Sequence, residues 1–328
     1  MKVLVVRFSS IGDIVLTTPV IRCLKQQGNF EVHFLTKASF RKVLEANPYI
    51  DRLYSIQKEI IEVIDDLKQE QYDAVIDLHK NLRTYRLKMA LDVESYAFDK
   101  LNWQKWLIVN LKINRLPNLH IVDRNLATIA PLHIQNDGQG LDYFIPKQEE
   151  VDLMDFFKKE TPPPYLALVI GAAHQTKRLP TQKIIELCKK LKQPTVLLGG
   201  PSEAKEGEQI AEAAGHHIWN ACGKLRLHQS ASMVKQAALV ITHDTGLMHI
   251  AAAFHKPIIS IWGNTIPEFG MYPYYPKGIN RNQSIEVKDL SCRPCSKIGY
   301  KKCPKKHFNC MQEIDLDQIT SLVNQLEL

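Results

Sequence analysis

Short apolar runs alternate with amphipathic stretches along this chain, and the alternation limits its fold more than any other feature. In the N-terminal half the predicted strands are residues 3–6, 31–35, 52–56 and 74–78, with helical stretches between them. The runs are rich in Val, Ile and Leu, which is typical of strands covered on both faces. The pattern therefore predicts an α/β protein in which helices flank a parallel sheet.

A second series of the same kind follows Pro162-Pro163-Pro164, which predicts a stiff linker after a charged helix. Its predicted strands are residues 166–170, 195–198, 239–242 and 257–261, with a short one around Ile218. A chain of 328 residues is long enough for two such domains. We therefore expect two doubly wound parallel-sheet domains, with ligands bound at the carboxyl ends of the strands.

The composition, 45% hydrophobic and 23% charged, is that of a soluble globular protein. The chain has no apolar run of about eighteen residues, and its first strand is too short for a signal-peptide core and is interrupted by Arg7. These features predict a cytosolic protein. The net charge of +7 suits an anionic ligand or an anionic membrane surface but requires neither.

The loop Ser9–Asp13 follows the first strand, where dinucleotide-binding folds place Gly-x-Gly-x-x-Gly. It contains a single glycine, and Asp13 would repel a pyrophosphate, so the loop is a poor dinucleotide site. A carboxylate here could accept a proton from a substrate hydroxyl. It could also cap the following helix, which is the commoner use of an acid at such a place. The residues alone leave both roles open.

Residues 171–180 form a loop after the first strand of the second series. Small residues there would let a ligand approach, and Thr176, Lys177 and Arg178 supply a hydroxyl and two cations. This chemistry suits a phosphate or diphosphate.

In residues 240–253 a strand leads through a polar turn into an Ala-rich helix. Asp244 or Thr245 can cap that helix, and Gly246 lets a ligand approach the backbone. The free N–H groups of the helix N-terminus would then suit a phosphate. An ordinary capped connection is the alternative. We expect this turn and the 171–180 loop at one sheet edge.

An ordered set of short motifs resembles one family. The motifs are Ser9-Ser-Ile-Gly-Asp13, Tyr72-Asp-Ala-Val-Ile-Asp-Leu78, Asn81-Leu-Arg83, Thr176-Lys-Arg-x-Pro180, Leu197-Leu-Gly-Gly-Pro201, Asn220-Ala-Cys-Gly-Lys224, Asp244-Thr-Gly-Leu-Met-His249 and Trp262-Gly-Asn-Thr265. Together they are similar to the ADP-heptose:lipopolysaccharide heptosyltransferases, the family 9 glycosyltransferases. The resemblance runs through the whole chain and is specific to the family, although not to one acceptor.

The resemblance implies a GT-B fold, in which two Rossmann-like domains face a cleft. Residues 1–160 would form the acceptor-side domain and residues 165–312 the nucleotide-sugar domain, while a helix in residues 313–328 would pack back on the N-terminal domain. It implies an inverting transfer of heptose from ADP-heptose to a lipopolysaccharide inner-core acceptor, with no metal or other cofactor required.

The resemblance also implies roles for single residues. Asp13 would be the general base, and Lys177 would stabilise the departing diphosphate. Asp244 would contact sugar hydroxyls or structure its turn, since a carboxylate beside a diphosphate is unfavourable. The implied donor-binding residues are Thr176, Gly223, Lys224, Asp244, Thr245, Gly246 and His249. The candidate acceptor-binding residues are Ser10, Gly12, Lys80 and Arg83.

Four of the seven cysteines cluster near the C-terminus with His307 among them, namely Cys292, Cys295, Cys303 and Cys310. Four thiolates at these spacings could hold a structural zinc ion. The alternative is a set of reduced cysteines that pack a loop. The lysines around the cluster could meet anionic lipid headgroups.

Basic and aromatic residues also mix in residues 80–136, where solvated helix faces and an acceptor-facing or membrane-facing surface are both open. The expected partners are an ADP-linked sugar, a lipopolysaccharide-core acceptor and, peripherally, the anionic inner face of the inner membrane, with no nucleic acid.

A family 9 transferase with another nucleotide sugar or acceptor is the main alternative function. A nucleic-acid-binding protein with a four-cysteine zinc module is a remote one, because only the last tenth of the chain carries that signal. The missing Gly-x-Gly-x-x-Gly disfavours a dehydrogenase.

Overall fold

The computed structural model describes residues 1–325 and divides into two compact units. The first unit consists of residues 1–101, 119–144 and 274–278. The second consists of residues 102–118, 145–273 and the chain from 279 onward. In residues 1–325 no helix is both long and apolar enough to cross a membrane.

The first unit is built on a five-stranded parallel sheet. The strands are β1 Lys2–Val6, β2 Glu31–Lys37, β3 Arg52–Ile56, β4 Ala74–Asp77 and β5 Glu94–Ala97. Their order in the sheet is β3-β2-β1-β4-β5. The helices of this unit are α1 Ile11–Val15, α2 Thr18–Gly28, α3 Ile64–Gln69, α4 Leu82–Leu91 and α6 Ile121–Leu126. The strands at the centre of the sheet are almost completely buried, as the apolar runs predicted.

The second unit contains a six-stranded parallel sheet. The strands are β6 Leu166–Val169, β7 Thr195–Leu198, β8 Ile218–Asn220, β9 Leu239–His243, β10 Ile258–Trp262 and β11 Asn282–Glu286. Their order is β11-β10-β9-β6-β7-β8. The helices are α5 Asn102–Leu111, α7 Leu153–Phe157, α8 Thr181–Lys190, α9 Ala204–Ala214, α10 Leu227–Gln236, α11 Gly246–Ala253, α12 Asn309–Gln312 and α13 Leu316–Asn324.

Each sheet reverses its strand order once, as doubly wound folds do. In the first unit the reversal lies between β1 and β4, and in the second it lies between β6 and β9. Loops that leave these neighbouring strands at their carboxyl ends diverge to opposite faces of the sheet and leave a crevice between them. These two places are therefore where each unit can bind a ligand. The two predicted doubly wound domains are confirmed.

The unit boundaries differ from the predicted ones. Residues 145–160 belong to the second unit although they precede the triple proline. The backbone N–H of Val151 donates to Ser232 Oγ at 2.9 Å, and the ring of Phe157 lies 5.1 Å from that of Trp219. Residues 102–118 also join the second unit, because Ile108 packs against Ile266 and Phe269.

The C-terminal helix α13 belongs with the second unit, which corrects the prediction that residues 313–328 pack back on the N-terminal domain. Leu316, Ile319 and Val323 follow helical spacing and are buried in the hydrophobic core of the second unit. The helix packs beside α8. Residues 326–328 of the predicted helix lie outside the described residues.

Candidate active site

Asp13 lies in the first turn of α1, directly beyond β1. Its Oδ1 is 2.5 Å from Arg7 Nη2, and its Oδ2 accepts hydrogen bonds from the backbone N–H and the hydroxyl of Ser10 at 3.1 and 2.7 Å. Ser10 occupies the N-cap position and Asp13 lies three residues further on, so the alternative role of Asp13 as the cap is wrong. These donors hold a partly exposed carboxylate, about a quarter of whose surface is open to solvent.

Arg7 is a residue of this site that the sequence analysis missed. Its guanidinium donates to the carbonyl oxygen of Ser9 at 3.0 Å and to that of Leu78, which follows β4. Arg7 therefore links the two strands at the point of reversal and orients Asp13. The sequence signal for Arg7 was a cation directly after a buried strand. Such cations are too common for this signal to have identified Arg7 as a site residue. Burial, with the charge of Arg7, lowers the pKa of the neighbouring His79 to about 4.

The candidate acceptor-binding residues lie at the same edge of the first sheet. Ser10 and Gly12 follow β1, and Lys80 and Arg83 follow β4. The backbone N–H of Lys80 donates to Asp77 Oδ1 at 2.6 Å, and Asn81 caps α4 by accepting from Thr84 N at 3.0 Å. Arg83 Nη2 lies 3.8 Å from Glu59 Oε1. The fold thus brings the two predicted loops to one place, and acceptor binding stays a prediction.

In the second unit, side chains after three neighbouring strands meet. Lys177 follows β6 on the 3₁₀ turn Gln175–Lys177, Asp244 follows β9 and Thr265 follows β10. Lys177 Nζ is 2.5 Å from Asp244 Oδ2, and the Thr265 hydroxyl donates to the same oxygen at 3.0 Å. The side chains of Lys177 and Asp244 are 15% and 10% exposed, so their charges attract each other with little screening. Thr265 was quoted in a motif but given no role.

The turn after β9 shows which residue caps α11. Thr245 Oγ1 accepts from Leu247 N at 3.4 Å, while the Asp244 carboxylate points to Lys177. The sequence left the capping residue of α11 open between Asp244 and Thr245, and the structure identifies it as Thr245. Gly246 begins the helix, whose N-terminus lies at the β6/β9 reversal. His249 is buried in α11.

The remaining predicted donor residues lie in different surroundings. Thr176 is buried, and its Oγ1 accepts from Tyr300 N at 2.8 Å and donates to Tyr300 O at 3.2 Å. These bonds make Thr176 an anchor for a distant loop, and its contact with the donor stays a prediction. Gly223 and Lys224 follow the edge strand β8, and Gly223 N donates to Gly199 O at 3.0 Å. The order of the sheet places β8 two strands away from β6.

Arg178 is occupied by carboxylates, so the cation predicted beside Lys177 for an anion is not available. Its guanidinium pairs with Glu203 at 3.1 Å and with Glu206. The next residue, Leu179, donates its N–H to Nε2 of buried His243 at 3.0 Å. Burial lowers the pKa of His243 to about 3 and keeps the ring neutral. His243 therefore attaches the Lys177 loop to the end of β9, a role that the sequence analysis missed.

In residues 1–325 the ligand atoms of the four clustered cysteines do not come close enough together to mark a metal site. Within residues 1–325, the only three His, Cys, Asp or Glu ligand atoms lying within 4.8 Å of one another belong to Glu31, His33 and Glu70. Cys310 is part of the hydrophobic core, and burial raises the pKa of its thiol to about 12. Cys292 Sγ lies 3.8 Å from His307 Nε2 instead. For this cluster a structural zinc ion and reduced cysteines that pack a loop both stay predictions.

The trio of Glu31, His33 and Glu70 is a charge network. Glu70 pairs with Lys2 at 2.8 Å and with Arg52, and it accepts a hydrogen bond from the hydroxyl of Tyr54 at 2.6 Å. The Lys2 hydrogen bond is the main cause that lowers the pKa of Glu70 to about 2. A metal ion here would have to displace two cations, so we assign it no metal.

The fold defines the class of protein. The glycosyl transferase family 9 structure from Veillonella parvula is similar, with a TM-score of 0.76 and 21% identity over 99% of this chain and 96% of that one. The structure of E. coli ADP-heptose lps heptosyltransferase II has a TM-score of 0.73 and 19% identity over 99% and 98% of the two chains. The chain therefore has the GT-B glycosyltransferase fold, as predicted.

The family follows from the sequence comparison. The family model described as glycosyltransferase family 9 (heptosyltransferase) matches residues 60–307. The chain belongs to this family and is a glycosyltransferase, which confirms the family predicted from the ordered motifs. Among curated proteins, lipopolysaccharide heptosyltransferase 1 of Campylobacter coli is 24% identical over 99% of each chain.

Proposed function

We propose that this glycosyltransferase moves heptose from ADP-heptose to a lipopolysaccharide inner-core acceptor, with inversion at the anomeric carbon and without a metal ion. The names of its similar proteins support both substrates, since one is a lipopolysaccharide heptosyltransferase and another is named for ADP-heptose. The observation that carries the donor half is the Lys177–Asp244 pair beside the N-terminus of α11 at the β6/β9 reversal.

The donor diphosphate would bind where a cation and a helix N-terminus lie together. Its negative charge would draw Lys177 Nζ away from Asp244 and would accept hydrogen bonds from N–H groups of the first turn of α11. Thr265 would keep Asp244 in place by its 3.0 Å hydrogen bond. Asp244 would then be free to accept hydrogen bonds from sugar hydroxyls, which suits a carboxylate better than a phosphate contact does. Thr245 would hold the turn as the helix cap.

The acceptor hydroxyl would be activated by Asp13 of the first unit. In a single displacement the acceptor oxygen attacks the anomeric carbon, its proton passes to Asp13, and ADP leaves with the electron pair of the broken C–O bond. Attack opposite to the leaving group inverts the anomeric configuration. Arg7 and the Ser10 hydroxyl would hold the carboxylate in one orientation for this step.

No divalent ion is needed if protein groups offset the charge of the leaving diphosphate. Lys177 provides a full positive charge, and the α11 N-terminus provides about half a charge more. Both are fixed before the reaction, so little reorganisation accompanies departure of ADP. We further propose that the enzyme works in the cytoplasm, at the inner face of the inner membrane, because a lipopolysaccharide acceptor is itself lipid-linked.

A panel of nucleotide sugars tests the donor, with thermal stabilisation as the measurement. ADP-heptose and ADP are expected to raise the midpoint of thermal unfolding, and UDP-linked or GDP-linked sugars are not. Stabilisation by another nucleotide class alone would indicate a family 9 transferase with a different donor. The proposed mechanism predicts full turnover in EDTA and a product whose anomeric configuration, read by NMR, is opposite to that of the donor.

A further inference from the structure

Two segments of the second unit concentrate positive charge. Residues 102–118 carry three Lys or Arg and residues 291–309 carry six, and neither segment contains an Asp or Glu. The whole chain has a net charge of only +7, so the remainder of the protein is slightly acidic. The excess of positive over negative charge in the chain thus comes from two segments of one unit.

The two segments adjoin each other in the structure. Lys112, after the end of α5, donates through Nζ to Pro294 O at 2.7 Å and to Cys292 O at 3.3 Å. Burial, and to a smaller extent the charge of Lys305, lowers the pKa of Lys112. Together α5 and the 291–309 loop therefore make one basic surface.

Large apolar side chains are exposed in both of these segments. Trp103 and Trp106 are 64% and 47% exposed, and their rings stack with centroids 5.2 Å apart. Ile298 in the basic loop is 57% exposed. Ile108, on the other side of α5, is buried. The helix thus has one face in the protein and an aromatic face turned to solvent, where its exposure to water is unfavourable.

We propose that this face docks on an anionic phospholipid bilayer. The docking face consists of Trp103, Trp106, Ile298, Lys301, Lys302 and Lys305, all of which are exposed. Tryptophan rings partition to the boundary between headgroups and acyl chains, and exposed lysines attract the phosphates of anionic lipids. The exposed aliphatic side chain of Ile298 fits hydrocarbon rather than a nucleic acid. The proposal rests on the proposed function only in that a lipid-linked acceptor requires the enzyme at a membrane.

The segment between Ile298 and Lys301 of the docking face is bonded to the loop that carries Lys177. Tyr300 makes three hydrogen bonds with Thr176, two through the threonine hydroxyl and one to its backbone N–H. Gly299 has a φ of +129°, and a Cβ there would lie 2.6 Å from His174 Cβ, so only glycine allows this close approach. A bilayer bound at Ile298 and Lys301 would therefore hold a loop anchored one residue from the candidate catalytic lysine.

Vesicle sedimentation with the full chain tests the proposal without any sugar substrate. The wild type is expected to bind vesicles of phosphatidylglycerol and phosphatidylcholine, to bind pure phosphatidylcholine weakly, and to be released by high salt. Lys301→Glu/Lys302→Glu/Lys305→Glu is expected to weaken binding by at least about 100-fold, since each lysine near an anionic surface contributes roughly fivefold. Trp103→Ser/Trp106→Ser is expected to weaken it about tenfold or more.

Matched controls come from exposed residues elsewhere. Lys158→Glu/Lys159→Glu/Lys192→Glu changes the same charge, and Ile61→Ser/Met154→Ser removes similar exposed apolar surface. The charge control measures how much vesicle affinity is lost through the change in net charge alone. The triple lysine variant of the docking face is expected to lose far more vesicle affinity than this control. The apolar control is expected to bind vesicles within about twofold of wild type. Circular dichroism establishes that each variant is folded.

Three results would overturn the proposal. The first is that the wild type does not bind anionic vesicles. The second is that both docking-face variants bind these vesicles as tightly as the wild type does. The third is that the protein binds RNA or DNA oligomers and does not bind vesicles.

Transfer onto a delipidated acceptor separates the proposed membrane docking from the proposed function. The docking-face variants are expected to keep that activity and to lose activity on vesicle-embedded acceptor. A chain that binds vesicles but transfers nothing would count against the proposed function alone.

Discussion

Lys177 Nζ lies 2.5 Å from Asp244 Oδ2, across the two strands at which the second sheet reverses its order. The pair joins the one lysine of the β6 loop to the turn that begins α11. Without a ligand the two charges neutralise each other in a mostly buried place. A diphosphate that takes over the lysine would leave the carboxylate directed at the sugar. In the proposed donor complex the diphosphate and the sugar would thus bind to adjacent side chains.

Replacement of Lys177 by alanine is expected to lower kcat by roughly 10²–10³-fold, because the cation stabilises charge that develops on the departing diphosphate. Lys189→Ala, an exposed change on α8, is the control and should leave kcat unaltered. Steady-state kinetics with saturating donor provide the measurement. Equal turnover in Lys177→Ala and wild type would remove the lysine from the mechanism.

Asp13→Asn keeps the shape of the side chain and removes its basicity. Turnover should fall by roughly 10²–10⁴-fold, the usual contribution of a general base. The affinity for ADP, measured by titration calorimetry, should stay within about twofold, because Asp13 lies in the first unit and Lys177 in the second. Asp155→Asn, at an exposed position of α7, serves as the matched control. Near-normal turnover in Asp13→Asn would assign Asp13 a structural role only.

The protein should lose stability as the pH falls below about 6.5, partly through His243. The unfolded chain takes up a proton on this residue near pH 6.5, whereas burial lowers its folded pKa to about 3, so acid favours the unfolded state. The loss from this histidine at pH 5 relative to pH 8 is on the order of 2 kcal/mol. His243→Gln keeps an acceptor for Leu179 N–H and removes the titration. Urea unfolding at both pH values should show a smaller acid loss in the variant; an identical loss would contradict this assignment.

Arg293 should be important for stability although it is not one of the predicted binding or catalytic residues. Its guanidinium donates to the carbonyl oxygens of Gly263 and Thr265 at 2.5 and 3.0 Å and pairs with Glu286 at 2.5 Å. Arg293→Gln would leave a largely buried carboxylate unpaired and is expected to cost about 3–5 kcal/mol of unfolding free energy.

The exposed pair Lys235–Glu150 provides the comparison for Arg293. Its two side chains are 48% and 46% exposed, so Lys235→Gln should cost at most about 1 kcal/mol in the same urea titration. Similar costs for the two substitutions would mean that the guanidinium of Arg293 does not hold the loop after β10.

The parts of the fold that depend on local pattern were predictable. Buried parallel strands produce continuous apolar runs, so β1, β6 and β9 could be located within a residue or two. The edge strands β5 and β11 were missed because their exposed and polar residues lack that signature. The order of the strands brought the predicted loops to two sheet edges, which explains why Lys177 and Asp244 meet.

Features that depend on tertiary neighbours were not predictable in the same way. The spacing of the cysteines left a metal site open, and in residues 1–325 no three of their sulfur atoms lie within 4.8 Å of one another. The apolar face of α13 showed that the helix packs somewhere, but not against which unit. Arg7, His243 and Arg293 have ordinary local sequence, and their roles come from partners that are distant in the chain.

The most direct test of the central claim is acceptor-dependent transfer from ADP-heptose, followed by mass spectrometry of a delipidated inner-core acceptor. We expect one added heptose and one released ADP per turnover in EDTA, with product lost in Asp13→Asn and Lys177→Ala. Transfer from a UDP-linked or GDP-linked sugar, with none from ADP-heptose, would contradict the proposed function.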